Sequence, residues 1–192
     1  MNKNNILCEK CFQELEPKFI SFSVLGHKAT SLYYYTDHIK ELIHTLKACG
    51  DYELREVFLN RFLPYLKLRY RGYYLVYSPS HKLANLKRGF NQVEAVFSTL
   101  NLPSLDVLYK TKDQHQAGSK SMDRLKIDDV MESKDIHLVN NKNILLVDDI
   151  FTTGATLRKA ITLLKEGRPK KIEILVIAKT IDLDKRNKEK QY

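Results

Sequence analysis

Asp148 and Asp149 stand side by side at the end of an apolar run, Asn143-Ile144-Leu145-Leu146-Val147, and lead into Ile150-Phe151-Thr152-Thr153-Gly154-Ala155-Thr156. A branched apolar run of this length reads as a strand buried in a parallel sheet. Leu157 to Glu166, behind the Thr/Gly loop, reads as a helix. Such a loop aims backbone N–H groups at one point, at the positive end of a helix dipole, and this is how proteins hold a phosphate. Acids at the carboxyl edge of a sheet lie where open α/β folds bind ligands. The spacing asks for a ligand with a phosphate at one end and hydroxyls or a metal ion within reach of the carboxylates. A sugar phosphate meets that description. Two other readings are weaker. Apolar residues before two acids also describe the Walker B strand of a P-loop ATPase, but none of the seven glycines precedes a Lys-Ser or Lys-Thr pair. Two adjacent acids alone would read as a solvated turn; the Thr-Thr-Gly-Ala-Thr continuation with a helix behind it sets this pair apart.

The elements that must position these residues alternate along the chain. Leu32 to Tyr35 reads as a strand, and Asp37 as the N-cap of a helix with an apolar face of Ile39, Leu42, Ile43 and Leu46. Tyr52 to Leu66 reads as a second helix. Tyr73 to Tyr77 is a short strand stopped by Ser78-Pro79-Ser80, and Phe90 to Leu100 a further helix. Leu105 to Tyr109 and Lys171 to Ala178 are the remaining strands. This alternation predicts an α/β fold, a mostly parallel twisted sheet flanked by helices. Residues 1–30, with a single C-x-x-C pair at Cys8 and Cys11, read as an N-terminal appendage. Residues 31–192 read as the main domain, with a polar, flexible segment at about 110–135 and a charged tail at 182–192.

Whole-chain properties narrow the classes. At 192 residues with 43% hydrophobic content, the chain suits one domain with a small appendage. No apolar run is long enough to span a membrane, and Met-Asn-Lys-Asn-Asn is no signal peptide, so a cytoplasmic protein without membrane insertion is expected. Three cysteines argue against a disulfide framework. The net charge of +9 favours polyanionic partners or anionic substrates.

The segment from Asn143 to Thr156 resembles the phosphoribosyl-pyrophosphate (PRPP) motif of type I phosphoribosyltransferases: an apolar strand, two acids, a variable pair, then Thr-Thr/Ser-Gly-x-Thr. The resemblance implies the type I phosphoribosyltransferase fold. It implies that Asp148 and Asp149, the catalytic pair, bind the ribose 2′ and 3′ hydroxyls, and that Thr152, Thr153, Gly154, Ala155 and Thr156 hold the 5′-phosphate. Mg²⁺ would accompany the ligand on its pyrophosphate and ribose oxygens, as suits a hard ion that keeps waters. Two further blocks extend the match. Arg88-Gly89-Phe90-Asn91-Gln92 follows the Ser78-Pro79-Ser80 strand end. It reads either as a basic loop capping a helix or, with Lys87, as a pyrophosphate contact suited to arginine's bidentate geometry. Gln114 to Leu125 is polar with a Gly hinge. In this fold it would act as a hood bringing Lys112, Lys120 or Arg124 to the pyrophosphate and excluding water. By itself it would be a surface loop.

Together these blocks resemble the ComF-type competence protein family, phosphoribosyltransferase-like proteins of natural transformation, from Cys8 to about Ala178. Members often begin with a zinc knuckle of two C-x-x-C pairs. Here Cys8 and Cys11 form one pair, with Cys49, His27, His38 and His44 at unconvincing spacing. A structural zinc site needs four ligands, so a complete one within the chain is not expected. Ile127-Asp128-Asp129 also replaces a stretch where the family usually shows Asn. Two functions follow from the resemblance. One is Mg²⁺-dependent phosphoribosyl transfer from PRPP, or binding of a nucleotide-like molecule, in DNA uptake. The other is a non-catalytic module that uses the fold as scaffold or sensor while binding single-stranded DNA or protein, with a DNA-translocating ATPase as partner. For the second, Tyr65, Tyr70, Tyr73 and Tyr74 interleave with Lys67, Arg69 and Arg71 as stacking platforms would, although strand Tyr73 to Tyr77 must bury one face.

Overall fold

The computed structural model describes residues 7, 11, 14–15, 17–49, 52–79, 89–112 and 129–181. Its centre is a five-stranded sheet of β1 (Ile20–Val24), β2 (His27–Tyr34), β7 (Lys171–Lys179), β6 (Asn143–Phe151) and β3 (Tyr73–Tyr77), in the order β1-β2-β7-β6-β3. β1 pairs antiparallel with β2; the other four strands run parallel. Both faces of the central strands are covered, which explains their unbroken apolar runs: Ile144 to Val147 and Ile174 to Ala178 are buried without alternation. One face packs against α1 (Asp37–His44), α2 (Leu63–Arg69) and α3 (Gln92–Phe97) through Ile39, Ile43, Leu66, Val96 and Phe97. The other packs against α4 (Ala155–Glu166) through Leu157, Ile161 and Leu164, beside an antiparallel pair of β4 (Leu108–Lys112) and β5 (Asp129–Ser133). The architecture is the α/β class expected from the sequence, a mostly parallel sheet flanked by helices. Among the described residues, no helix is long and apolar enough to cross a membrane.

Local differences have local causes. The helix expected over Tyr52 to Leu66 is broken into 3-10 turns at Tyr52–Glu56 and Asn60–Phe62 before α2 begins. Pro64 lies in the first turn of α2, where its missing N–H is harmless; further into a helix it would remove a bond and clash. The strand expected from Leu32 begins at His27, because β1 turns back onto it through Leu25 and Gly26. The alternative of a stacking surface built from the tyrosines gives way to burial. Tyr70 and Tyr73 are buried and meet edge to face at 5.5 Å. Their neighbour Arg69 turns to the buried Glu173 at 3.3 Å, and Tyr73 donates to the same carboxylate at 3.0 Å. Of the four rings, Tyr65 is the one well exposed. A half-buried strand in a helix-covered sheet must place its large rings inside, and that requirement overrides the basic residues between them.

Gly167 closes α4 against the Ile136–Val139 turn. A Cβ there would collide with the Ile136 carbonyl oxygen and a Val139 methyl. Gly167→Ala is therefore expected to destabilise the fold by about 1–3 kcal/mol through overpacking against backbone, a fall in Tm of about 2–4 °C per kcal/mol at this size. Thermal unfolding checks it, and an unchanged Tm would sink the close-packing account.

Candidate functional site

β6 delivers the acids. Its first five residues fix it between β3 and β7, so Asp148 and Asp149 emerge at the carboxyl edge of the sheet, beside Ser78 at the end of β3. Ser78 is buried, and its N–H donates to the Val147 carbonyl at 2.9 Å. The chain then turns sharply into α4 at Gly154, whose φ of +74° belongs to the left-handed region that glycine tolerates. The Thr153 hydroxyl accepts from Ala155 N–H at 3.4 Å. The first-turn amides of a helix lack partners inside it, and α4 begins beside a concavity lined by Asp148 and the run from Ile150 to Leu157. Thr152, Thr153, Ala155 and Thr156 are exposed at this hollow, whereas Gly154 is buried under the Phe151 ring. Asp148 and the Thr152–Thr156 loop thus share a single opening.

The two carboxylates differ. Asp149 is held by three donors. Its Oδ1 accepts from Ile150 N–H at 2.6 Å; its Oδ2 meets Lys47 Nζ at 2.5 Å and accepts from Gln92 Nε2 at 3.1 Å. Asp148 is half-buried and accepts Asp149 N–H on Oδ1 at 2.9 Å. Burial, and then the neighbouring Asp149 charge, push the Asp148 carboxyl up to about 7, against the Asp149 amide, Ser78 and Lys47. Asp149 is thus paired with a cation, while Asp148 can hold or release a proton near neutrality. A group of that kind, open to a ligand cavity, is suited to acid–base work.

The block around Asn91 resolves into two jobs. Asn91 caps α3, accepting from Val93 N–H at 3.0 Å and Glu94 N–H at 3.5 Å, while Gln92 reaches Asp149. Of the residues expected at a pyrophosphate, Lys87, Arg88, Lys120 and Arg124 lie outside the described residues; Lys112 ends β4, its side chain likewise outside the description. Cys8 falls outside too. Cys11 is half-buried, and His38 engages the Cys11 carbonyl at 3.1 Å and Glu14 at 3.6 Å. Among the described residues, no group of three or more His, Cys, Asp or Glu is placed to hold a metal ion.

Lys47 escaped the sequence reading. It sits in a π-helical turn, Thr45–Cys49, that continues α1. The signal was present: Ile39, Ile43 and Lys47 are spaced i, i+4, i+8, which puts a lysine on the helix's buried face.

The phosphoribosyl transferase domain family matches residues 78–192, a span that contains every element of the site except Lys47. The chain is 32% identical over 165 residues to the competence protein ComFC of Bacillus subtilis, covering 84% of this chain and 68% of that one. It is 32% identical over 149 residues to ComFC of Streptococcus pneumoniae, covering 78% and 66%. Over 93 residues it is 31% identical to the bifunctional protein PyrR of Latilactobacillus sakei, covering 48% of each. The chain spans about two thirds of the length of the two ComFC relatives. Among solved structures, a hypoxanthine phosphoribosyltransferase from Staphylococcus aureus aligns over 66% of this chain and 72% of its own, with 13% identity and a TM-score of 0.42.

Proposed function

Because this chain belongs to the phosphoribosyl transferase domain family and is a homologue of the ComFC competence proteins, we propose that its strand-end site binds PRPP with Mg²⁺ in the service of DNA uptake. The observation that carries the reading is the shared opening of Asp148 and the Thr152–Thr156 cradle at the start of α4. The cradle suits the 5′-phosphate, and the carboxylates suit the ribose hydroxyls, which donate to them. The site's donors are hard oxygens, which fits Mg²⁺ arriving on the ligand; bound so, the ion would offset the charge of a departing pyrophosphate. In phosphoribosyl transfer the C1–O bond breaks, pyrophosphate leaves with the electron pair, and a nucleophile's lone pair closes on C1. The acids would favour the positive charge that grows on the ribose as that bond lengthens.

The competence relatives and the net charge of +9 also support a second role, contact with single-stranded DNA. With Tyr70 and Tyr73 inside the core, that role falls to charge rather than to a stack of rings.

PRPP with Mg²⁺ is expected to raise the Tm of the wild type and to leave Asp148→Ala/Asp149→Ala unmoved. Absence of any shift in the wild type at millimolar PRPP would overturn the assignment.

A further inference from the structure

Lys47 and Gln92 come from elements on the opposite side of the sheet from α4, and both end on the same oxygen of Asp149. Oδ1 of that carboxylate is meanwhile fixed by its neighbour's N–H. Three donors from three segments leave the group no free rotation. A carboxylate accepts at about four lone-pair sites, so with three donors in place about one stays available to an incoming hydroxyl. The lysine stem comes from a π-helical turn, a distortion that proteins concentrate at functional sites. The Lys47 ammonium at 2.5 Å makes one of these contacts a charge-assisted one.

We propose that Lys47 and Gln92 are positioning residues of the sugar site, holding the Asp149 carboxylate turned so that it selects a ligand carrying a cis-diol. The proposal rests on the sugar-phosphate reading of the site and deepens it. Lys47 makes the larger contribution, because it supplies both charge and orientation. Gln92 supplies orientation alone. Neither is a catalytic residue, since each acts through Asp149.

The test compares two probes by calorimetry. One is ribose 5-phosphate. The other is 2,3-dideoxyribose 5-phosphate, which keeps the phosphate and loses both hydroxyls. The wild type is expected to favour the diol at least tenfold. Lys47→Met should lose most of that preference by weakening ribose 5-phosphate about tenfold while leaving the dideoxy compound unchanged, which also shows that the cradle has folded. Lys47→Arg should restore the preference, and Gln92→Leu should reduce it about threefold. An unchanged ratio in Lys47→Met overturns the proposal. So does tighter ribose 5-phosphate binding, which would make Lys47 a competitor for the carboxylate, and so does an equal loss of both probes. If neither probe binds the wild type, the sugar-phosphate reading itself falls and takes the proposal with it.

Discussion

Asp148→Asn is expected to make the unliganded protein more stable than the wild type at pH 8, with the advantage shrinking toward pH 5. The folded-state carboxyl stands at about 7 against an ordinary value of 3.8, chiefly through burial and the Asp149 charge. Between those values the native state keeps a proton that the unfolded chain has released. The stabilisation is therefore complete below about 3.8 and is lost as pH rises toward 7, by up to about 1.4 kcal/mol per pH unit. Asn is neutral throughout and still accepts the Asp149 N–H, so it escapes the loss. Because Asp148 is half-buried, water at the opening moderates the effect. An advantage of about 1–2 kcal/mol at pH 8, some 2–8 °C in Tm, is expected. The same substitution should abolish the PRPP-dependent rise in Tm, since one carboxylate acceptor is gone. Stability gained where ligand binding is lost is the usual mark of a strained functional group. Melting curves of both proteins from pH 5 to 8, with and without PRPP and Mg²⁺, decide it; parallel curves would refute the raised carboxyl.

What the sequence disclosed and what it hid divide along physical lines. β6, β7 and β3 were legible because strands covered on both faces carry unbroken apolar runs, and the cradle was legible because its acids, threonines and glycine are contiguous. Local rules also located Asn91, whose cap is made with its own helix. Contacts between distant segments left little local trace. Lys47 finds Asp149 across more than half the chain, and Arg69 finds Glu173 from even farther. Tyr70 and Tyr73 show the converse: alternation with Lys67, Arg69 and Arg71 looks like a basic surface, but strand burial prevails as the sheet and α2 close over the rings. The broken helix before α2 was marked by Pro64, a boundary signal outweighed by the apolar residues around it.

Gly154→Ala should do the most damage to phosphate binding of any single methyl added to this chain. Two costs combine there. A φ of +74° disfavours an L side chain by about 1–2 kcal/mol. The new Cβ would also lie 2.6 Å from Phe151 Cε2, 2.8 Å from Cζ and 3.2 Å from Arg158 Nη1. The ring has limited room to yield, since it packs on Phe22 at 4.7 Å with Lys179 5.8 Å from its centre. Relief then comes from rotating residue 154 out of the left-handed region, which swings away the first amides of α4, the donors a phosphate would use. Gly26→Ala separates the two costs. Gly26 has a φ of +80° with nothing within 4 Å of an added Cβ, and it turns β1 into β2 away from the cradle. It should lower Tm modestly and leave ribose 5-phosphate affinity alone, whereas Gly154→Ala should weaken that affinity about a hundredfold, roughly 3 kcal/mol. Matched calorimetry on the two variants carries the decision, because equal affinities would mean that the backbone at Gly154 does not shape the phosphate site.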